Sequence, residues 1–453
     1  MTCGVNCQII WHLLTTLNGI LFEQTSDSNI SRRAHCCWSR GQSCAAATSG
    51  PCQIACTEGA IYRGRRQAGA SLRMFVDCRW DSARRHHSRR RPRCFLQRSS
   101  VGLDVHARSV VACGLDTVTG QLYRQRLTPS SEDINRWLGT LSGPVAVAYE
   151  AGPTGYGLAR FLNNAGVRCV VVAPSKLPRP QGDRVKTDAR DAAHLARLLR
   201  MDQITAVRVP SPDEEAARDL VRAREDVRSD LMRSRHRVSK LLLRQGIIWS
   251  GGSSWTGKHE RWLRQQHFDR SGLQLALDVE FEAVLMAAAR RDRLDKAIEK
   301  MAGDSEYTPV VRRLCCLRGV STLTGFALAV EVGDWYRFSG STIGAYLGLV
   351  PTERSSGQTR SQGSITKTGS THARRLLVEA AWHRGKPYRT PGLTMQARWA
   401  AATPAAQARG HLGNQRLKAR WEVYTDRKKK PVIANVAIAR ELAGWCWPLA
   451  TLE

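Results

Sequence analysis

The sequence predicts a protein of the α/β plus α class, with a mixed sheet and flanking helices followed by a helical linker and a small, mostly α-helical domain. Three observations predict this order. Residues 99–205 alternate apolar runs of strand length with helical patterns. Residues 206–305 hold long, highly charged helical patterns, and residues 306–453 hold mainly short apolar ones. We take these three ranges as predicted domains.

The first domain is expected to begin with three strands, read from SVGLDVH, SVVACGLD and QLYRQRL, with short connections at Ala107–Arg108 and at TVTG. A helix at SSEDINRWLGTL (130–141) follows, opened by serine and early acids. The strand PVAVAYEA, the helix GYGLARFLNNAG, the strand RCVVVAP and a helix capped by Thr187 complete the pattern. The order β-β-β-α-β-α-β-α predicts a mixed sheet with helices on both faces.

The linker is expected to be an antiparallel helical arm or coiled coil. Residues 211–247 form one long charged helical pattern, residues 249–257 break it, and a second pattern covers about 258–302. Residues 314–334 then read as two short apolar helices around a glycine turn, resembling a helix-hairpin-helix whose amides can approach phosphates. Residues 345–369 are predicted to be a polar loop.

Residues 1–98 differ from the rest of the chain. They contain nine of the 14 cysteines, no lysine and no sustained hydrophobic period. We expect a poorly ordered extension, and one interpretation is upstream sequence translated from too early a start codon, with Met74 as a later start. A basic arm at 84–93 that touches nucleic acid is the alternative. A zinc site at Cys52 and Cys56 would match no standard spacing.

The net charge of +30 predicts a polyanionic partner, because neutralising phosphates and releasing their counterions drives such binding. The excess of Lys and Arg extends over much of the chain, which favours nucleic acid over a merely soluble basic surface. No apolar run of about 18 uncharged residues is present, so we expect no membrane span.

Four acids form the candidate catalytic site. Asp104 and Glu150 lie in apolar segments that are predicted to be buried strands. A carboxylate in such a strand is costly unless it is ligated or paired. Asp188 and Asp191 lie three residues apart at a helix start and share one side of it. Helix-start electrostatics alone could explain those two. If the fold brings all four together, they can bind Mg²⁺ or Mn²⁺, which take oxygen ligands and assist displacement at phosphorus.

Two blocks of sequence carry a family resemblance. Residues 100–200, with LDVH, YEAG and KTDARDA, resemble the RuvC-like (RNase H-like) DEDD domain of transposases of the insertion-sequence 110 family. Residues 314–383, with LRGVSTLTGFALAVEVGD and YLGLVPTERSSGQTRSQGSITKTGSTHARRLLVEAAW, resemble the C-terminal transposase domain of that family. The N-terminal extension departs from the family pattern.

The resemblance implies a recombinase that cleaves and rejoins DNA, located in the bacterial cytoplasm with the nucleoid. It implies that the four carboxylates act with a serine nucleophile in the Ser-Gly step after GLVP, which maps onto Ser356, with Ser355 adjacent. It also implies donor and target DNA, an element-encoded guide RNA and a homo-oligomer, a dimer or tetramer, for which the long helices are the obvious contact.

Basic residues flank this serine within about twenty positions. Their functional interpretation is phosphate binding, and the alternative is a solvated surface. His372 is interpreted either as a proton shuttle or as a plain surface histidine. The candidate phosphate contacts are Arg354, Arg360, Lys367, Arg374 and Arg375.

Two other functions compete with the recombinase. One is a structure-selective nuclease that uses the four acids and water, as Holliday-junction resolvases do. A covalent protein–DNA adduct distinguishes the two, because a hydrolase forms none. The other is an inactive remnant that binds nucleic acid tightly, in a salt-sensitive way, and breaks no strand.

Overall fold

The structure, a computed structural model, describes residues 97–178 and 187–452. The predictions of an extension, an early start, a zinc site and a basic arm before residue 97 lie outside the described residues. So does the segment 179–186, which precedes the helix that carries Asp188.

A five-stranded mixed sheet lies at the centre of residues 99–205, in the spatial order β3-β2-β1-β4-β5. β1 pairs antiparallel with β2 and parallel with β4, while β2–β3 is antiparallel and β4–β5 is parallel. This confirms the predicted mixed sheet and places the first strand at its centre. The strands are β1 (Ser99–Val105), β2 (Val110–Asp116), β3 (Leu122–Leu127), β4 (Val145–Glu150) and β5 (Arg168–Val172).

Helices cover both faces of this sheet, as predicted. α1 (Ser131–Leu138) and α2 (Gly157–Asn164) pack Ile134 and Leu162 against Leu103 on one face. Burying such side chains stabilises the fold by about 1.5–3 kcal/mol each.

α3 (Asp188–Arg200) lies on the other face, where Leu195 and Leu199 contact Ala146 and Ala148 of β4. Thr187 caps α3 as predicted, accepting a hydrogen bond from the Arg190 amide at 3.4 Å. The small alanine side chains let α3 approach the sheet closely.

The helical linker is an antiparallel arm. α4 (Pro212–Arg244) packs along α6 (Ser271–Gly303). The ion pairs Arg224–Asp295 and Arg237–Glu280, both 2.6 Å, show that the two helices are antiparallel, because the residue number rises along α4 as it falls along α6. Apolar side chains on both helices form the seam between them. The second predicted helix is in fact two, because the chain breaks after α5 (Gly257–Arg264). At the base of the arm, both helices join an apolar cluster with Phe326.

Residues 306–453 are mostly helical, as predicted. Their apolar core includes buried side chains of the last helix, such as Ile438 and Leu442, packed against Leu314 and Leu377. In the part of the chain that the structure describes, no helix is long and apolar enough to cross a membrane. The elements are α7 (Thr308–Leu314), α8 (Thr322–Val332), α9 (Ile343–Tyr346), β6 (Pro351–Ser356), β7 (Thr359–Ile365), α10 (Thr371–Ala381), α11 (Leu393–Trp399), α12 (Pro404–Asp426) and α13 (Pro431–Ala450).

The prediction of a polar loop over residues 345–369 was wrong, because β6 and β7 form an antiparallel hairpin there. Nearly all residues of both strands are exposed, so neither strand shows the apolar alternation that reveals a half-buried strand. The connection Gly357–Gln358 has two residues, and Gly357 has a φ of 58°. Glycine at the first position of a two-residue turn is a hairpin pattern that the sequence did contain.

Candidate active site

Gly102 sets the distance between β1 and α3. A Cβ atom at this position would lie 2.0 Å from the Ala192 carbonyl oxygen and 2.7 Å from the Ala196 amide nitrogen. Only glycine therefore lets the backbone of α3 lie directly on β1. Because Asp104 follows two residues later in β1 and Asp188 begins α3, this close approach brings the two carboxylates to one edge of the sheet.

Replacing Gly102 with alanine should destabilise the first domain and separate these carboxylates. The added methyl group overlaps helix backbone, which cannot rotate away, so we expect a loss at the upper end of overpacking effects, about 3 kcal/mol. Differential scanning calorimetry with and without Mn²⁺ measures both effects. Gly157→Ala is the matched control, because a Cβ atom there meets open space. Equal melting temperatures for the two variants would contradict this role of Gly102.

Asp104, His106 and Asp188 meet at this edge. The His106 Nε2 atom lies 3.3 Å from Oδ2 of Asp104 and 3.9 Å from Oδ1 of Asp188. One ligand atom from each residue lies within 4.8 Å of the other two, and among the described residues this is the group of acids and histidines placed to share an ion. Sequence reasoning missed His106, although side chains two residues apart along an extended chain face the same side.

Asp191 and Glu150 lie near this group without belonging to it. Asp191 is close enough to Asp104 to influence its ionisation. Glu150 ends β4 and is exposed. The parallel register pairs Leu103 with Tyr149, so the next residue of each strand, Asp104 or Glu150, lies at the same sheet edge. The structure thus brings Asp104 and Asp188 together and leaves Glu150 beside them.

The electrostatics of Asp104 fit a divalent cation. Partial burial raises the pKa of this carboxyl above its usual range, and the charges of Asp188 and Asp191 raise it further, while His106 lowers it. Crowded carboxylates repel one another, and a bound cation reverses that repulsion. The carboxylate oxygens suit Mg²⁺ or Mn²⁺. The residues present therefore fit the metal that the sequence predicts.

The hairpin presents Ser355 and Ser356 differently. The Ser355 hydroxyl donates to Oε1 of Glu353 at 2.9 Å. Bonds from Ser355 first, then from Arg360 and Gln362, hold the pKa of Glu353 below its usual range. Adjacent residues of a strand point to opposite faces, so Ser356 lies on the face away from Glu353. Ser356 is exposed, and no hydrogen bond of its hydroxyl occurs among the described residues.

The five predicted phosphate contacts have different environments. Arg354 and Lys367 are exposed, and Arg360 pairs with Glu353 at 3.1 Å. Arg374 is buried and donates to the Leu347 and Thr368 carbonyl oxygens at 3.0 and 2.8 Å. Those carbonyls lie before β6 and after β7, so Arg374 holds the two ends of the hairpin together. Arg375 forms ion pairs with Glu225 and Glu379.

A polar cluster joins α4 of the arm to α8 and α10. The Arg222 guanidinium contacts both carboxylate oxygens of Glu331, at 3.2 and 3.3 Å. His372 lies between two acids, with Nδ1 3.4 Å from Glu331 and Nε2 3.7 Å from Glu225. The side chain of His372 is only 13% exposed, so its interpretation as a plain surface histidine was wrong. The cluster fixes α10, and five residues separate the start of this helix from the end of β7.

The stability of this cluster should depend on pH. Burial alone would raise the pKa of Glu331, but hydrogen bonds from His372 and Arg222 outweigh burial and lower it to about 2. The charged carboxylate therefore stabilises the fold above its unfolded pKa near 4.5, and this contribution is lost as pH falls from there towards 2. We expect a loss of about 3 kcal/mol across this window.

Thermal unfolding at pH 6 and pH 2.5 tests this expectation by comparing wild type with Glu331→Gln. The variant should unfold at a lower temperature at pH 6, and the difference should shrink at pH 2.5. Glu353→Gln is the control, because Glu353 is exposed on the hairpin and should change little. If the unfolding temperatures of wild type and Glu331→Gln differed by the same amount at both pH values, the pH dependence of stability would not come from this carboxylate.

Known proteins share both regions of this sequence. Residues 101–246 match the family model for the DEDD transposase of IS110, described as transposase, and residues 311–390 match the model described as transposase IS116/IS110/IS902 family. The domain that carries the acids is thus of the DEDD transposase class. The chain belongs to the IS110 family of transposases.

Individual relatives support this membership. The putative transposase y4qE of Sinorhizobium fredii is 40% identical over 356 residues, which cover 77% of this chain and 88% of the relative. The transposase for insertion sequence element IS1533 of Leptospira borgpetersenii is 32% identical, over 63% of this chain and 85% of the relative. The transposase for IS1328 of Yersinia enterocolitica is 24% identical, over 52% and 70%.

Proposed function

We propose that this transposase cleaves and rejoins DNA strands with a divalent metal and a serine nucleophile. The observation that carries the proposal is the meeting of Asp104, Asp188 and His106 at one edge of the sheet. The strand order β3-β2-β1-β4-β5, with the first strand central, supports an RNase H-like (RuvC-like) domain. Donor and target DNA are the proposed substrates, and the charge of +30 supports binding to both.

Asp104, Glu150, Asp188 and Asp191 are the proposed ligands of Mg²⁺ or Mn²⁺, and we add His106. A bound metal would supply charge neutralisation at the phosphate and lower the proton affinity of an attacking oxygen. The carboxylates belong to β1, β4 and α3. The imidazole of His106 suits Mn²⁺ better than Mg²⁺, because Mg²⁺ strongly prefers oxygen.

Ser356 is the proposed nucleophile. Its Oγ atom forms a bond to a DNA phosphorus while the bond from that phosphorus to one strand's oxygen breaks, and the serine proton passes to the leaving oxygen. Attack by a hydroxyl from another strand reverses these changes, so the number of phosphodiester bonds is conserved. The exposed position of Ser356 near a hairpin tip allows a DNA strand to reach it. Arg354, Arg360 and Lys367 are proposed to bind the neighbouring phosphates.

Other parts of the chain receive further proposed roles. Arg374 supports the hairpin and Arg375 supports α10. We propose that both affect DNA binding indirectly, by positioning these elements. Residues 314–334 are the proposed helix-hairpin-helix-like contact to phosphate. An element-encoded guide RNA is a second proposed partner, held by its backbone and shape. The arm of α4 and α6 is the proposed contact in a homo-oligomer.

A reconstituted reaction tests this function. The full chain is incubated with a plasmid carrying the element ends, RNA transcribed from the element's flanks, and either Mg²⁺ or EDTA. Rejoined junctions found by sequencing only with Mg²⁺ would support the proposal. Cut strands without junctions would favour the nuclease that uses water. Binding without any strand breakage would favour the inactive remnant.

A further inference from the structure

A cleft lies within residues 306–453, and its lining contains neither the four acids of the candidate active site nor the β6–β7 hairpin. Its volume is about 840 Å³. Its walls are the turn after α7 (Arg318–Ser321), one side of α10, and the segment from Pro387 to Arg398. The volume falls within the range of about 300–1,000 Å³ that is typical of ligand sites.

Arginines without acidic partners surround this cleft. Arg318 donates to the carbonyl oxygens of Lys386 and Pro387 at 2.9 and 3.0 Å, and Arg398 donates to that of Val320 at 3.5 Å. Neither forms an ion pair within the described part of the chain. The acid of the lining, Glu379, is paired at 2.5 Å with Arg375 on its own helix. The cleft therefore keeps a net positive charge.

A third arginine lies behind the wall. Arg384 is 1% exposed, and it donates to Oδ1 of Asn414 and to the carbonyl oxygen of Arg318 at 2.5 and 2.6 Å. Its Nε atom has no partner among the described residues. Burial first, and then Arg318, lower the pKa of Arg384 to about 9. A buried cation without an acid is costly, and an anion in the cleft would offset part of that cost.

The uncharged walls restrict what this anion can be. Tyr388 presents an aromatic ring, Leu393 is 85% exposed, and Met395 adds apolar surface. Thr390 and Thr394 supply hydroxyl groups. A free phosphate needs no apolar wall, and a duplex keeps its bases stacked and out of reach. An aromatic and apolar wall beside cations is the combination that binds single-stranded nucleic acid.

We propose that this cleft binds an unpaired nucleotide of a nucleic-acid strand. The phosphate lies between Arg318 and Arg398, and the base lies against Tyr388 and Leu393. DNA and RNA share this chemistry. The inference rests on the proposed function in taking nucleic acid as the partner and in sharing the proposed phosphate contact of the turn after α7, and it involves neither the metal nor Ser356.

The test measures binding of fluorescent oligothymidylate and oligouridylate to the full chain in EDTA, where no strand is cut. Arg398→Ala should weaken binding about tenfold, equal to about 1.4 kcal/mol. It should also reduce the magnitude of the slope of log K against log[salt] by about 0.7, because one phosphate contact is lost. Arg409→Ala removes an exposed arginine of the same domain outside the cleft and should change binding little. Arg398→Lys should recover part of the affinity, which excludes a folding defect.

Photo-crosslinking gives a second measurement with the wild-type chain. An RNA strand carrying 5-iodouridine or a DNA strand carrying 5-iodo-2′-deoxyuridine should crosslink to Tyr388 or Met395. The strand with the higher crosslinking yield identifies RNA or DNA as the occupant of the cleft. Equal losses for Arg398→Ala and Arg409→Ala, or crosslinks only to residues that do not line the cleft, would overturn the proposal. Binding in the cleft without any strand breakage in Mg²⁺ would instead contradict the proposed function and leave the cleft assignment intact.

Discussion

Replacing Ser356 with alanine should abolish strand exchange while leaving nucleic-acid binding unchanged. The hydroxyl oxygen is the atom that bonds to phosphorus, and alanine offers no substitute, so we expect a loss on the order of a thousandfold or more. The hairpin itself should be unaffected, because Ser356 is exposed and its backbone still pairs with Thr359. Quantitative sequencing of rejoined junctions measures strand exchange, and oligonucleotide binding in EDTA measures nucleic-acid affinity without cleavage.

Ser355→Ala is the matched control, since it removes the neighbouring hydroxyl from the same strand. That hydroxyl is bonded to Glu353 on the opposite face of the hairpin, so this variant should keep most of its activity. Activity in Ser356→Ala together with its loss in Ser355→Ala would transfer the nucleophile to Ser355. Full activity in both variants would exclude a serine at this turn.

Replacing Asp104 with asparagine should abolish metal-dependent strand cleavage and weaken metal binding. The substitution keeps the size of the side chain and removes one negative charge from the group that Asp104 forms with His106 and Asp188. A loss on the order of a thousandfold in cleavage is expected, because the charge on the phosphate is no longer balanced. Mn²⁺ binding, followed by electron paramagnetic resonance, provides a measurement that is independent of activity.

Two further variants sharpen this result. Asp133→Asn removes an acid of the same domain from α1, on the other face of the sheet, and should leave metal binding unchanged. His106→Ala should weaken Mn²⁺ binding more than Mg²⁺ binding, if the imidazole is a ligand. Unchanged Mn²⁺ binding in Asp104→Asn would contradict the metal site at this edge of the sheet.

Local patterns were sufficient to predict the mixed sheet and the helices of residues 99–205. The strand runs around Asp104 and Glu150 are buried and continuous, and Thr187 stands where a cap is needed, so each element is specified by its own residues. The right order of elements then leaves few possible topologies. The β6–β7 hairpin was missed because its strands pack against nothing, so no apolar pattern marks them.

The candidate site was predictable only in part, since its side chains depend on partners far away in the sequence. Arg374 bonds to a carbonyl 27 residues away, and Arg375 pairs with an acid 150 residues away on the arm. No local pattern contains that information, so both looked like surface arginines available to phosphate. His106 was missed because it follows the end of β1, and its proximity to Asp188 arises from the packing of α3 at Gly102.

Trapping a covalent intermediate tests the serine chemistry most directly. The full chain is incubated with target DNA, RNA from the element's flanks and Mg²⁺, then denatured, and the DNA-linked peptide is mapped by mass spectrometry. A phosphoserine bond between Ser356 and a DNA end is the result that the proposed mechanism predicts. Cleaved DNA with no protein attached would contradict it and would assign the cleavage to water.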